Sequence, residues 1–171
     1  MPTYTPPLRD MQFLLHEVLN VTDEYKAIPA HADLDADTLN AVLEEAGKFA
    51  SEVAQPVNLS GDLEGCTLNK QTHEVTTPKG FKEAYRQYIE GGWPALSCDP
   101  DYGGQGLPYV ANQCVYEMLN SANQAWTMYP GLSHGAYDAL HAHGTPEQKK
   151  TYLPKLTSGE WTGTMCLTEP H

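Results

Sequence analysis

The residues of this sequence that could do chemistry are concentrated in its last segment, which runs from Glu160 to His171. Between Trp161 and Thr168 the residues alternate between apolar and polar types, as they do in a β-strand. The polar face of that strand carries Thr162, Thr164, Cys166 and Thr168. A row of hydroxyl groups could hydrogen-bond a flat polar cofactor, or it could form a threonine ladder on a solvated face. Composition alone does not choose between these two interpretations.

A strand at this position needs a partner, and the sequence offers none after it. An unpaired edge with this much apolar content favours association with other chains, so proteins seldom leave one open. We therefore expect residues 160–171 to begin a β-domain whose remaining strands are absent, and the chain to be the front piece of a larger protein.

A second candidate is the run of residues 126–131, which combines large apolar groups, a hydroxyl and a glycine. Aromatic residues and methionines usually fill protein cores, so core packing is the simpler interpretation. The alternative is the wall of a pocket for an apolar ligand, in which Gly131 would leave room for that ligand.

Other residue types lack the spacing that their chemistry requires. His141 and His143 fall on different faces of a helix, and His134 and His141 lie about 10 Å apart along its axis, too far for one metal ion. The glycine-rich residues 101–108 match neither the dinucleotide fingerprint nor a phosphate-binding P-loop. No serine or cysteine lies in a nucleophile motif. We expect no metal site and no catalytic residue within this chain.

Composition excludes several classes of protein. The net charge of −12 would repel the phosphates of nucleic acid. No apolar stretch approaches the length of a membrane span, and the N-terminus lacks the features of a signal peptide. The four cysteines are scattered, which is typical of reduced thiols. We expect a cytoplasmic protein that binds neither nucleic acid nor membrane.

The elements that position the candidate residues are helices. Apolar side chains recur at steps of three and four residues, which predicts five or six helices with one buried face each. They cover residues 8–21, 39–57, 81–91, 108–122, 129–143 and 145–159. The buried face of the first helix should carry Met11, Leu14, Leu15, Val18 and Leu19. We predict a loop over 58–65 and a short strand pair over 66–68 and 74–76.

The last helix has the clearest boundaries. Thr145 is a good N-cap, Pro146 suits the first helical position, and Gln148 completes a capping box. Gly159 can end the helix, although Pro154 could kink or break it earlier. The pattern as a whole predicts an all-α domain followed by one strand.

Three stretches in this order and spacing resemble the acyl-CoA dehydrogenase family. Residues 92–96 (GWPAL) together with residues 101–108 (DYGGQGLP) resemble the helix-linking loop of that family. Residues 144–160 (GTPEQKKTYLPKLTSGE) resemble the family's helix that leads into the flavin domain. Residues 165–170 (MCLTEP) resemble its flavin-contacting strand. The likeness covers roughly residues 41–171. The opening residues 4–13 resemble the branch that includes 3-methylthiopropionyl-CoA dehydrogenases.

The resemblance implies an architecture. Residues 35–159 would form the N-terminal helical domain of the acyl-CoA dehydrogenase fold, residues 1–34 an N-terminal extension, and residues 160–171 the start of the middle β-domain. A C-terminal helical domain would follow in the parent protein and would carry the catalytic glutamate, so this chain would lack the base and be inactive alone.

The resemblance also implies an activity. A carboxylate removes the α-proton of an acyl-CoA thioester, FAD accepts the β-hydride, and the trans-2-enoyl-CoA product is released. The electrons leave through an electron-transfer flavoprotein, and the parent would be a homo-oligomer. The residues that match flavin-contacting positions are Met165, Leu167 and Thr168, and those near the acyl-chain slot are Thr127, Met128 and Gly131. A flavin oxidase of the same fold and a stand-alone helical interaction module are the alternatives.

Overall fold

The structure, a computed structural model, describes residues 3–166 and residue 168. Within these residues the chain forms seven α-helices and one small antiparallel strand pair, which confirms the all-α prediction. The helices are α1 Leu8–Phe13, α2 Val21–Tyr25, α3 Ala36–Phe49, α4 Asn58–Glu64, α5 Phe81–Glu90, α6 Tyr109–His143 and α7 Pro146–Thr157. The strands are β1 Thr67–Leu68 and β2 Val75–Thr76, with Thr67 opposite Thr76. The sequence predicted this strand pair but not its register.

Helix α3 forms where the apolar spacing predicted a helix. Asp35 caps it, because its carboxylate accepts a hydrogen bond of 2.7 Å from the Thr38 amide. The apolar face buries Leu39 and Leu43 completely. A π-helical turn, Ala50–Ala54, and a short 3₁₀ turn continue the rod.

Helix α6 is two helices joined at one residue. Asn123 has non-helical backbone angles (φ −161°, ψ 85°) and separates an N-terminal half, 109–122, from a C-terminal half, 124–143. The halves lie side by side, since Asn112 approaches His134 and Tyr116 lies beside Gly131. Two helices were predicted here, and the second begins earlier than its pattern indicated.

The Asn123 side chain fixes this turn. Its Oδ1 accepts a hydrogen bond of 3.1 Å from the Trp126 amide, which caps the C-terminal half of α6. Its Nδ2 donates a hydrogen bond of 3.0 Å to the carbonyl of Ala54, at the end of the α3 rod. The residue is buried, so both groups would otherwise lack a partner.

One hydrophobic core joins α3, α5 and α6. Its centre is an aromatic cluster in which the Phe49 ring lies 6.0 Å from the rings of both Tyr88 and Trp126. Tyr88 and Trp126 meet edge to face at 5.5 Å. A second, smaller cluster packs α7 against the C-terminal half of α6 and consists of Cys98, Tyr137, Leu153 and Leu156.

The N-terminal extension packs onto this core. Met11 and Leu15 are buried within it, and the Pro6 ring lies close enough to α3 that a Cβ on Gly47 would approach it to 2.9 Å. His16 Nε2 lies 2.9 Å from Asn40 Oδ1 in α3. These contacts seat the extension firmly against the rest of the domain.

The prediction of which side chains the extension buries is partly wrong. Leu14, Val18 and Leu19 are each about half exposed, although Met11 and Leu15 are buried as expected. The cause is a π-helical turn, Leu14–Val18, which has more residues per turn than an α-helix. The wider turn rotates the later side chains away from the core.

Two other predictions are corrected. The predicted loop over 58–65 is helix α4, which packs so closely that a Cβ on Gly61 would approach the Phe81 ring to 2.6 Å. Pro154 does not break α7, which continues to Thr157 with Leu153 and Leu156 both buried. The described residues of 161–168 pair with no described segment, and the predicted strand, whose partners were expected outside this chain, stays a prediction.

None of the helices in the described part of the chain combines the length and the apolar character that crossing a bilayer requires.

The two hydrogen bonds of the Asn123 side chain should contribute measurably to the stability of the fold. We expect Asn123→Ala to lower the free energy of unfolding by about 2–4 kcal/mol, because it removes a helix cap and leaves the buried Ala54 carbonyl unpaired. Urea unfolding followed by circular dichroism measures the change. Asn120→Ala is the matched control, since that exposed amide bonds only within its own helix. Equal effects of the two substitutions would contradict the assigned role.

Candidate functional site

The segment after α7 is docked on the C-terminal half of α6. The Gly163 amide donates a hydrogen bond of 3.1 Å to Ser133 Oγ, and the Tyr129 hydroxyl donates one of 3.3 Å to Thr162 Oγ1. A Cβ on Gly163 would overlap the Cβ of Ala136, so only glycine allows this approach. The tail therefore leaves the helical domain in a fixed direction.

Beyond Gly163 the tail is open to solvent. Met165 is 61% exposed, and Thr164, Cys166 and Thr168 are exposed as well. The hydroxyls of Thr164 and Thr168 make no hydrogen bond to the described part of the chain. Leu167, the third predicted cofactor-binding residue, lies outside the described residues. Met165 and Thr168 are thus exposed, two and five residues beyond the contact at Gly163.

A hollow of about 500 Å³ opens beside the tail. Ala136, Leu140 and Leu156 supply its apolar floor, while Tyr152 and Trp161 stand at its edge with ring centroids 5.9 Å apart. The hollow lies between α6, α7 and the tail. Its surface is mainly apolar, as is usual where a ligand or another domain packs.

The three predicted acyl-slot residues lie in different surroundings. Thr127 is buried, and its hydroxyl donates a hydrogen bond of 2.8 Å to the Asn123 carbonyl. Met128 is 60% exposed. Gly131 lies between the halves of α6, where a Cβ would meet the Tyr116 ring at 3.4 Å. The structure brings Met128 and Gly131 to the surface of the C-terminal half of α6 and turns Thr127 inward.

The enclosed space behind these residues is very small. A cavity of about 10 Å³ between α5, α6 and the loop before α6 has room for one water molecule at most. A shallow surface hollow of about 280 Å³ flanks Gly131, bordered by Tyr109, Tyr116 and Asp138. The enclosed cavity behind the predicted acyl-slot residues is therefore too small to admit an acyl chain.

Sequence reasoning missed a column of stacked rings on α6. His134, Tyr137 and His141 stack with centroid separations of 6.3 and 5.6 Å, and Tyr109 from the N-terminal half stacks on His134 at 5.9 Å. Their spacing of three and four residues was a visible signal, since it places all three residues of the C-terminal half on one helix face.

The column holds the glycine-rich loop in place. His141 Nε2 lies 3.0 Å from Asp99 Oδ2, and the Asp99 amide donates a hydrogen bond of 2.8 Å to the Tyr137 hydroxyl. The hydrogen bond from the Asp101 amide and the contact with His141 lower the pKa of Asp99. The loop before α6 is thereby tied to the helix that carries the docked tail.

Ser97, His134 and Asp138 lie close together, but they do not form a catalytic triad. Ser97 Oγ and Asp138 Oδ2 approach the same ring nitrogen, Nε2, at 3.5 and 3.8 Å. A triad requires the carboxylate to orient the opposite nitrogen of the ring. Burial also raises the pKa of the neighbouring Cys98 thiol to about 11, so its nucleophilic thiolate is scarce at neutral pH.

Metal ligands are not clustered either. Across residues 3–166 and residue 168, no three histidine, cysteine, aspartate or glutamate side chains lie close enough together to hold an ion. The chemistry that the described residues can offer is therefore hydrogen bonding and apolar contact along the tail and the adjacent face of α6.

The buried ring of His134 predicts a dependence of stability on pH. Burial lowers its pKa, with Asp138 opposing, so the unfolded chain takes up the proton more readily. The contribution of His134 to the free energy of unfolding is fully present above a pH of about 6.5, the pKa of histidine in the unfolded chain. This contribution is lost as the pH falls below that value. We expect His134→Gln to lose less stability between pH 7.5 and about pH 5 than the unsubstituted chain does. Urea midpoints at both pH values measure this, and His143→Gln, an exposed histidine on the same helix, should keep the original difference.

Comparison with known proteins was made on sequence. The family description "Acyl-CoA dehydrogenase, N-terminal domain" matches residues 36–160. The chain is 40% identical over 168 residues to a 3-methylmercaptopropionyl-CoA dehydrogenase of Ruegeria pomeroyi, covering 98% of the chain and 28% of that protein. It is 33% identical to a broad-specificity linear acyl-CoA dehydrogenase of Mycobacterium tuberculosis, covering 99% of the chain and 27% of that protein.

A match that covers less of the chain is the mitochondrial isovaleryl-CoA dehydrogenase of Pongo abelii, which is 35% identical over an alignment of 151 residues and covers 83% of the chain and 33% of that protein. The chain thus spans between a quarter and a third of the length of these relatives. The family match and the helical architecture agree with one another. This chain belongs to the acyl-CoA dehydrogenase family and carries that family's N-terminal helical domain.

Proposed function

We propose that the chain is the N-terminal part of an FAD-dependent acyl-CoA dehydrogenase that converts an acyl-CoA thioester into its trans-2-enoyl-CoA. The observation that carries this proposal is the near-complete match of the chain to two relatives that are both named as acyl-CoA dehydrogenases. These names favour the dehydrogenase over an oxidase of the same fold and over a stand-alone interaction module.

The open tail fits FAD as a partner. Among the described residues, Thr168 and Met165 are exposed, and the Gly163 amide holds the tail to Ser133. We assign Met165, Leu167 and Thr168 to FAD, with the Thr168 hydroxyl donating a hydrogen bond to the polar edge of its ring. When bound, FAD supplies the hydride acceptor.

The acyl chain would lie along the C-terminal half of α6. Of the three substrate-lining candidates, Met128 has the side chain that is free to touch a ligand, and Gly131 leaves space beside it. Thr127 would act indirectly, because its buried hydroxyl stabilises the first turn of this helix through a hydrogen bond to the Asn123 carbonyl. An apolar wall here excludes water from the thioester and strengthens the polarisation that makes the α-proton acidic.

The remaining functions belong to the parent protein. The net charge of −12 makes the surface of this chain, taken as a whole, unfavourable for the phosphates of coenzyme A. The catalytic glutamate is also assigned to the C-terminal domain. We further propose an electron-transfer flavoprotein as electron acceptor, a homo-oligomeric parent and a cytoplasmic location.

The decisive experiment compares the 171-residue chain with the full-length protein. The full-length protein should purify with a flavin absorption spectrum and reduce an electron-accepting dye when an acyl-CoA is added. The 171-residue chain should do neither, because it lacks the base and most of the flavin environment. A full-length protein that is folded but has neither flavin nor acyl-CoA-dependent dye reduction would refute the proposed function.

The tail assignment is tested in the full-length protein by Thr168→Val. Loss of one hydrogen bond, worth about 0.5–1.5 kcal/mol, should raise the dissociation constant for FAD up to about tenfold. Titration of the apoprotein with FAD, followed by flavin fluorescence, measures the change. Thr164→Val is the matched control, since that hydroxyl is also exposed and lies on the same tail. An equal loss of affinity in both variants would count against a specific role for Thr168.

A further inference from the structure

At Gly163 the backbone of the tail lies directly against the C-terminal half of α6. A Cβ on Gly163 would lie 2.4 Å from the Ala136 Cβ, 3.2 Å from the Leu132 carbonyl oxygen and 3.3 Å from the Ser133 Cα. The Gly163 amide also donates a hydrogen bond of 3.1 Å to Ser133 Oγ. We call Ser133, Ala136 and Gly163 the tail anchor.

The tail anchor buries little apolar surface. Thr162 and Thr164, on either side of Gly163, are exposed, and a glycine has no side chain to bury. The contact therefore adds little to the hydrophobic core. Ser133, by contrast, is only 9% exposed, and its hydroxyl accepts a hydrogen bond from a segment 30 residues away in sequence. What such a contact provides is a defined position for the tail.

That position matters most for Met165, which follows Gly163 by two residues. The length of the backbone keeps the Met165 Cα within about 7 Å of the Gly163 Cα, whatever the conformation between them. The Met165 side chain is 61% exposed, so its own packing does not fix its place. Thr168 lies five residues beyond Gly163 and can be up to about 17 Å away, so the anchor restrains it less.

We propose that Ser133 and Ala136 are positioning residues for FAD, because through Gly163 they fix the path of the tail and with it the place of Met165. Ser133 sets the distance by its hydrogen bond, and Ala136 sets it by the space that it leaves. A binding residue held near its final position loses less conformational entropy when the ligand arrives. The inference rests on the proposed function, since it takes FAD to be the group that Met165 contacts.

A pair of substitutions separates positioning from a merely structural role. Gly163→Ala would push the tail away from α6 by more than about 1 Å, since packed carbon atoms lie about 3.5–4.0 Å apart. Gly163 has no positive φ, so alanine does not strain the backbone there. Ala136→Gly restores the space, but it weakens α6, because glycine disfavours a helix. A structural role therefore predicts that the double variant binds FAD less tightly than Gly163→Ala, and positioning predicts the opposite.

The dissociation constant for FAD is measured on the full-length apoprotein by flavin fluorescence. Gly163→Ala should raise it at least about tenfold, and adding Ala136→Gly should lower it again by about threefold or more. The absorption maximum of the bound flavin, which reports the surroundings of its ring, should shift in Gly163→Ala and return in the double variant.

Ser133→Ala tests the hydrogen bond of the tail anchor by itself. Loss of this bond should raise the dissociation constant for FAD up to about tenfold. Ser51→Ala is the matched control, since Ser51 is a partly buried serine whose hydroxyl bonds the Gly47 carbonyl within the α3 rod. Far-UV circular dichroism establishes that each variant is folded, and the Ser133→Ala comparison decides if Gly163→Ala does not fold.

Three results would overturn the proposal: an unchanged dissociation constant in folded Gly163→Ala, a double variant that binds FAD no better than Gly163→Ala, or equal effects of Ser133→Ala and Ser51→Ala. Acyl-CoA-dependent dye reduction is assayed on the unsubstituted protein. If that protein binds FAD and reduces the dye while the variants give one of these results, this inference alone is rejected. A folded unsubstituted protein without FAD or dye reduction rejects the proposed function, and this inference with it.

Discussion

The arrangement of the domain depends on a single buried amide, the side chain of Asn123. It must satisfy a carbonyl at the end of the α3 rod and an amide at the start of the C-terminal half of α6, and both bonds form only when the chain reverses there. The reversal places the two halves of α6 side by side. The candidate site, from Met128 to the docked tail, lies on the half of α6 that follows this residue.

The sequence predicted the elements whose signals are local. The α3 rod and the capping box of α7 follow from apolar spacing and from side chains within one turn of the helix end, and both are present in the structure. The Asn123 turn could not be predicted in this way, because one of its partners lies 69 residues away in sequence. The extension shows the same limit, since its π-helical turn leaves Val18 and Leu19 half exposed without any change in the apolar pattern.

The candidate site was predictable to a different degree. Resemblance to the family located the tail and the stretch 127–131, yet it did not indicate that Thr127 would be buried while Met128 is exposed. The ring column was visible in the spacing of His134, Tyr137 and His141, but its role depends on Asp99, which comes from a loop distant in sequence. A spacing rule can identify which residues share a helix face, and only the packed structure shows what that face meets.

A rigid core and open surfaces occur together in this domain for a physical reason. The buried cluster around Phe49, Tyr88 and Trp126 packs α3, α5 and α6 against one another within the domain. The exposed apolar groups at Met165 and Met128 gain no stability from that arrangement, because each remains about 60% exposed. Their burial must come from contacts that the helical domain does not make by itself. A scaffold that is already ordered can hold such groups at fixed positions, so that a ligand or a neighbouring domain binds without the entropic cost of ordering them.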